Sequence, residues 1–115
     1  MKKQTQAIHS RFQTKDAYGS LAMPVYHTAA YEFDNATEMA DAFCGKTDAP
    51  DYSRVTNPTV TYFENKVKAM CNAHGVIAVS SGMAAISNTL ICLTAAGKNI
   101  VTSRHLFGNT YSLIA

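Results

Sequence analysis

Cysteine is scarce. The 115 residues hold three, Cys44, Cys71 and Cys92, an odd number with no C-x-x-C pair and no Cys/His ligand spacing. That disfavours a disulfide framework and a zinc site, and the three are read as reduced thiols of the core. Charge is also sparse: ten basic and eight acidic side chains, 16% of the residues, leave a formal +2. This is too little and too scattered for a nucleic-acid footprint or a polybasic membrane patch. No apolar h-region follows the polar start Met1-Lys2-Lys3-Gln4-Thr5-Gln6, which argues against a secretory leader and makes the cytoplasm the expected compartment. The longest greasy segment, Met83 to Ala96, is interrupted by Ser87, Asn88, Thr89 and Thr94 and is too short to span a bilayer. Neither G-x-G-x-x-G nor a Gly-Lys-Ser/Thr phosphate loop occurs, so dinucleotides and nucleoside triphosphates are disfavoured ligands. There is no internal repeat.

What is present is apolar. Hydrophobic residues make up 47% of the chain, a globular composition with length for one modest domain and not two. Residues 1 to about 35 keep no sustained period, and with Gly19, Pro24 and scattered aromatics they read as an extended arm. Asp34 to Glu38 offer caps for a short helix over 39–44 that Gly45 stops. Asn57 before Pro58 starts a helix that runs to about residue 73. Its Val60, Phe63, Val67, Met70 and Cys71 form one stripe, and Gly75 is its expected stop. Val76 to Val79 and Asn99 to Ser103 read as strands buried on both faces. Between them a helix begins at Gly82 or Met83 and ends near Gly97, giving a strand-helix-strand unit with a right-handed crossover. Arg104 to Ala115 form a loop leading into a third helix whose Tyr111, Leu113 and Ile114 seek cover, the pattern of a segment from a longer polypeptide. Such greasy faces predict poor folding of these residues alone.

Two stretches carry chemistry. The apolar run 76–79 gives way to Ser80-Ser81-Gly82-Met83 where a helix begins. A helix head has unpaired N–H groups and partial positive charge, so this entrance suits a phosphate. Upstream, Tyr52 and Arg54 place a phenol and a guanidinium two residues apart, both suited to an anion. Taken singly, the serines are a tight turn, Arg54 a solvated cation and Phe107 a core ring. Together they suggest a phosphorylated cofactor.

Three motifs, Tyr52-Ser53-Arg54-Val55-Thr56-Asn57-Pro58-Thr59, Ser80-Ser81-Gly82-Met83-Ala84-Ala85 and Leu106-Phe107-Gly108-Asn109-Thr110-Tyr111, stand in the order found in one family. Ala7-Ile8-His9 and Pro24-Val25-Tyr26-His27-Thr28 join them. The chain resembles the pyridoxal-phosphate enzymes of Cys/Met metabolism, over essentially its whole length. The resemblance implies an α/β fold, the N-terminal portion of the large domain of a fold type I, aspartate aminotransferase-like transferase. Residues 1–50 would be an arm and short helix making intersubunit contacts, and residues 51–115 the start of the domain that binds pyridoxal 5'-phosphate, with the first βαβ unit.

By the same resemblance Gly82 and Met83 donate backbone N–H groups to the cofactor phosphate and Ser81 is the small residue at the turn. Phe107 stacks on the pyridine ring, and Tyr52 with Arg54 reaches the phosphate held by a neighbouring subunit. The implied assembly is a dimer with shared active sites, built into a tetramer, acting on a small amino-acid substrate in methionine biosynthesis and transsulfuration. Lyases and synthases of the family usually have tyrosine where this chain has Phe107, while some sulfhydrylases carry Phe-Gly. That leans the expected activity toward an O-acetylhomoserine or O-succinylhomoserine sulfhydrylase, with methionine γ-lyase, cystathionine synthase or cystathionine lyase as alternatives. None of the seven lysines stands in the Ser/Thr-rich context of the family's Schiff-base lysine, so no catalytic residue is assigned within 1–115. The chain alone is expected to be a noncatalytic fragment. No metal site is expected.

Overall fold

A computed structural model describes residues 2–9 and 17–115. Five helices occur among them: α1 (Lys3–His9), α2 (Ala36–Phe43), α3 (Pro58–Cys71), α4 (Gly82–Leu93) and α5 (Gly108–Ile114). The contacts divide the chain into two compact units, Met1–Ile77 and Ala78–Ala115.

In the first unit α1 packs against α3. α1 lies inside the stretch expected to be an extended arm. Seven residues with no acidic group in the first turn make a poor isolated helix, so its stability comes from docking on α3. α2 follows its sequence signals. Asn35 accepts from the Glu38 N–H at 3.0 Å and donates to the Glu38 carboxylate at 2.9 Å. At the far end Gly45 (φ 66°) donates to the Ala42 carbonyl and Lys46 to that of Asp41, the paired bonds of a left-handed helix stop. α3 starts on Asn57 and Pro58 as expected, but it stops on Asn72 (φ 51°, ψ 42°) rather than at Gly75. Asparagine enters the left-handed region more readily than other side chains, so the earlier position ends the helix.

Residues 17–35, the described part of the chain between α1 and α2, contain no helix. Ala30 forms an antiparallel bridge with Tyr52, and the Ser53 N–H donates to the Ala29 carbonyl at 2.9 Å. The arm is thereby fastened to the turn that precedes α3.

In the second unit α4 and α5 pack together. α4 ends at Leu93, and Gly97 (φ 80°) serves the turn that follows. Residues 76–79 and 99–103 form no strand among the described residues, which departs from the expected strand-helix-strand unit. A strand exists only where a partner takes its N–H and C=O groups, and these two segments do not pair with each other. Nor are they buried: Ile77 is 86% and Val101 97% exposed. The three cysteines, expected in the core, are free thiols on exposed positions.

Exposure of this kind is general. Among the described residues Ala42, Asn57 and Thr110 alone are buried. The chain exposes 9721 Å², against roughly 6,100 Å² for a folded monomer of its mass. Apolar surface on that scale is what larger assemblies cover. The isolated 115-residue chain is therefore expected to enhance the fluorescence of an anilinonaphthalene sulfonate dye strongly, while a full-length protein containing it is not. A dark isolated chain would contradict the exposure described.

Candidate phosphate-binding site

α4 rises from Ser81, whose backbone is extended (φ −158°, ψ 160°) and whose hydroxyl accepts from the Ala84 N–H at 3.1 Å. The Ser81 carbonyl takes the Ala85 N–H, also at 3.1 Å. Ser81 is thus the cap of α4 as well as a small residue at its turn. The cap uses the third amide of the helix and leaves those of Gly82 and Met83, which helix geometry gives no internal partner. These are the two amides expected to meet a phosphate.

A Cβ placed on Gly82 meets nothing within 4 Å, and its φ lies outside the left-handed region. Neither backbone conformation nor crowding within this chain requires glycine there. The bare Cα leaves room for something outside the chain to come close to the helix head, where the dipole favours an anion. In this respect the residues fit a phosphorylated cofactor.

Phe107 stands at the head of α5, 74% exposed and with no side-chain cap bond. Serine, threonine, aspartate or asparagine is the stabilising choice at such a position, so phenylalanine here serves something other than the helix. Three residues on, buried Thr110 donates from Oγ1 to Sδ of Met83 at 3.7 Å. The heads of α4 and α5 therefore lie side by side, bringing Ser81, Gly82, Met83 and Phe107 to one end of the second unit. A cleft of about 190 Å³ in the same unit, lined by Thr102, Ser103, Arg104, Leu106 and Tyr111 among others, includes none of these four residues. Ser81, Gly82 and Phe107 are exposed there and Met83 half-buried.

Tyr52 and Arg54 belong to the first unit. The Arg54 guanidinium carbon sits 4.9 Å from the Tyr52 ring centroid, a cation–π contact worth about 0.5–1 kcal/mol at an exposed position. Arg54 forms no ion pair among the described residues, where the ion pair is Lys46 with Asp41 at 2.8 Å. Its charge is thus unneutralised by any described carboxylate. The turn that carries the pair is closed by Asp51. One carboxylate oxygen accepts from the Tyr52 N–H and from Thr56 Oγ1, both at 2.6 Å, and Thr56 Oγ1 accepts from the Asp51 N–H at 3.1 Å. The Thr56 hydroxyl first, then the Tyr52 amide, hold the Asp51 carboxyl below its ordinary range.

Sequence reasoning missed Ser53 and Thr59 and gave Asn57 only a capping role. The signal was partly there: all three lie in the motif that carries Tyr52 and Arg54.

Residues 4–115 match the Cys/Met metabolism PLP-dependent enzyme family, and the chain belongs to that family. It is 42% identical over 110 residues to an L-methionine γ-lyase of Fusobacterium nucleatum and 39% over 111 residues to the O-acetyl-L-homoserine sulfhydrylase of Corynebacterium glutamicum. Each match covers 96% of this chain, with 28% of the first protein and 25% of the second. A solved Campylobacter jejuni protein described as an O-acetylhomoserine (thiol)-lyase, carrying N'-pyridoxyl-lysine-5'-monophosphate, superposes with a TM-score of 0.90 at 32% identity. That superposition covers all of this chain and 28% of the other. The chain thus spans about a quarter of the length of these relatives and corresponds to their N-terminal part. The match confirms the fold type I assignment in its coarse form, and the family's cofactor is pyridoxal phosphate.

A folded-state carboxyl pKa below its unfolded value adds stability that is complete above the unfolded value, about 3.9. It is lost as the pH falls through the folded value. The Asp51 turn should accordingly loosen only in strong acid. Thr56→Val removes the larger cause and is expected to move the Asp51 midpoint up toward the ordinary range in a carboxyl carbon NMR titration. An unmoved midpoint would contradict the assigned cause.

Proposed function

We propose that these residues form the phosphate-binding part of a pyridoxal-phosphate enzyme of methionine metabolism, and that the complete protein is an O-acylhomoserine sulfhydrylase making homocysteine by γ-replacement. The observation that carries the cofactor role is the head of α4, where Ser81 caps the helix and leaves the Gly82 and Met83 amides for an anion. In this reading those two amides take the phosphate of pyridoxal phosphate. Phe107 lies against the pyridine face, a contact worth about 0.5–1.5 kcal/mol beyond burial. Tyr52 and Arg54 reach the phosphate bound by a second copy, so that each site of a dimer, and of a tetramer built from dimers, needs both subunits. The arm and α2 belong with that intersubunit contact.

When bound, the cofactor supplies an electron sink for carbanions formed on the amino-acid substrate. The chain's own residues hold and orient it. A phenyl ring at Phe107 stacks but carries no exchangeable proton, so Phe107 itself takes no part in proton transfer.

Phe107 favours the replacement enzymes on the resemblance described above. The γ-lyase reading is kept because the lyase and sulfhydrylase identities, 42% and 39% over 110 and 111 residues, differ by about three positions. The full-length protein, supplied with O-acetylhomoserine and sulfide, is expected to release homocysteine faster than it releases methanethiol from methionine. The reverse order would install the lyase reading, and failure to bind pyridoxal phosphate would remove both. Phe107→Ala should weaken the cofactor roughly three- to tenfold. Borohydride reduction of the isolated 115 residues with pyridoxal phosphate should label no single lysine stoichiometrically; one defined adduct would overturn the assignment of the carrier lysine to a later segment.

A further inference from the structure

Resting on the phosphate role proposed for Tyr52 and Arg54, we infer that Asn57 is a positioning residue that fixes where those two side chains are presented. The residue is 9% exposed, and its carboxamide bonds through the oxygen and both N–H groups. Oδ1 accepts from the Thr59 N–H at 2.9 Å, which caps α3. Nδ2 uses both hydrogens elsewhere: one bond to the Tyr26 carbonyl at 3.1 Å and one to Ser53 Oγ at 2.9 Å. Ser53 lies between Tyr52 and Arg54 in the chain, and its hydroxyl passes a bond on to the Thr28 carbonyl. Thr59 repeats the link, accepting from the Tyr26 N–H at 2.9 Å.

A helix cap needs only an acceptor, and aspartate caps as well as asparagine. The two donors are surplus to that task. Both are spent on tying the Tyr52–Arg54 turn to arm residues separated from it by more than twenty positions. Arg54 has no ion pair of its own among the described residues, and its contact with Tyr52 is exposed. The backbone at Ser53, held by its own bond to Ala29 and through Asn57, is therefore what sets the reach of the guanidinium. Losing the donors leaves α3 capped and the turn held to the arm by the Ala30–Tyr52 bridge and the Ser53–Ala29 bond, with the side-chain ties to Tyr26 and Ser53 gone.

Asn57→Asp separates the two roles, since it keeps the cap and turns a donor against the Tyr26 carbonyl into an acceptor. In the full-length apoprotein the readout is the dissociation constant of pyridoxal phosphate relative to that of pyridoxal, which lacks the phosphate. Asn57→Asp is expected to raise that ratio roughly tenfold, and Ser53→Ala to raise it in the same direction by a smaller factor. Both selective losses should vanish in an Arg54→Ala background. If Asn57→Asp does not yield folded protein, Ser53→Ala alone decides. Equal weakening of both ligands, or a loss that persists without Arg54, marks a purely structural role and overturns the inference. If Arg54→Ala itself leaves the ratio unchanged, the phosphate role of Arg54 fails and the inference fails with it. A ratio raised by Arg54→Ala but by neither other variant sinks the positioning role alone.

Discussion

One carboxamide holds the first unit of this chain in order. Asn57 caps α3 with its oxygen and joins the arm to the 51–56 turn with its nitrogen. It is one of only three buried residues among those described. A buried amide left unbonded is costly, about 1–3 kcal/mol for each group, and here both N–H donors and the carbonyl oxygen are each bonded. With so little apolar burial, directional bonds do what a packed core does elsewhere: they decide which segments lie together. The Ala30–Tyr52 bridge and the Ser53–Ala29 bond continue the same seam.

The second unit solves a different problem with the same economy. α4 needs its head capped, and the residue that caps it, Ser81, bonds to Ala84 and not to the two amides before it. Capping the helix and leaving its first two amides free are thus compatible, since they concern different donors. Thr110 adds a sulfur contact that sets α5 beside that head. Phe107 is then the exposed residue whose identity helix chemistry does not explain.

Local signals were legible in the sequence because their physics is local. Asn35 with Glu38, Asn57 with Pro58 and Gly45 act within a few residues, and α2 and α3 begin where those residues say. Ser81, Gly82, Met83 and Phe107 stood out in the sequence as a group because ordered motifs are more specific than any one residue, and the fold brings them to one end of the second unit. Elements that depend on distant partners were not. α1 has no cap signal and exists through α3. Segments 76–79 and 99–103 have the composition of buried strands, but composition cannot supply the neighbour that makes a strand. The donors of Asn57 find Tyr26 and Ser53 through the fold, so the sequence around Asn57 announces only its cap.

The exposed strand-like segments and the exposed cysteines have a common cause. Isoleucine, valine and cysteine at 77, 79, 92, 100 and 101 are residues that proteins normally bury. Their exposure beside a charged content of 16% describes the inner surface of a larger body. What the described residues complete by themselves is local: a capped helix head, and an arginine stacked on tyrosine that has no ion pair among them. Binding geometry for a phosphate can be assembled from backbone amides and one short turn, within a few residues of one another. A closed pocket needs elements brought together from farther apart, and burial among the described residues goes no further than Ala42, Asn57 and Thr110.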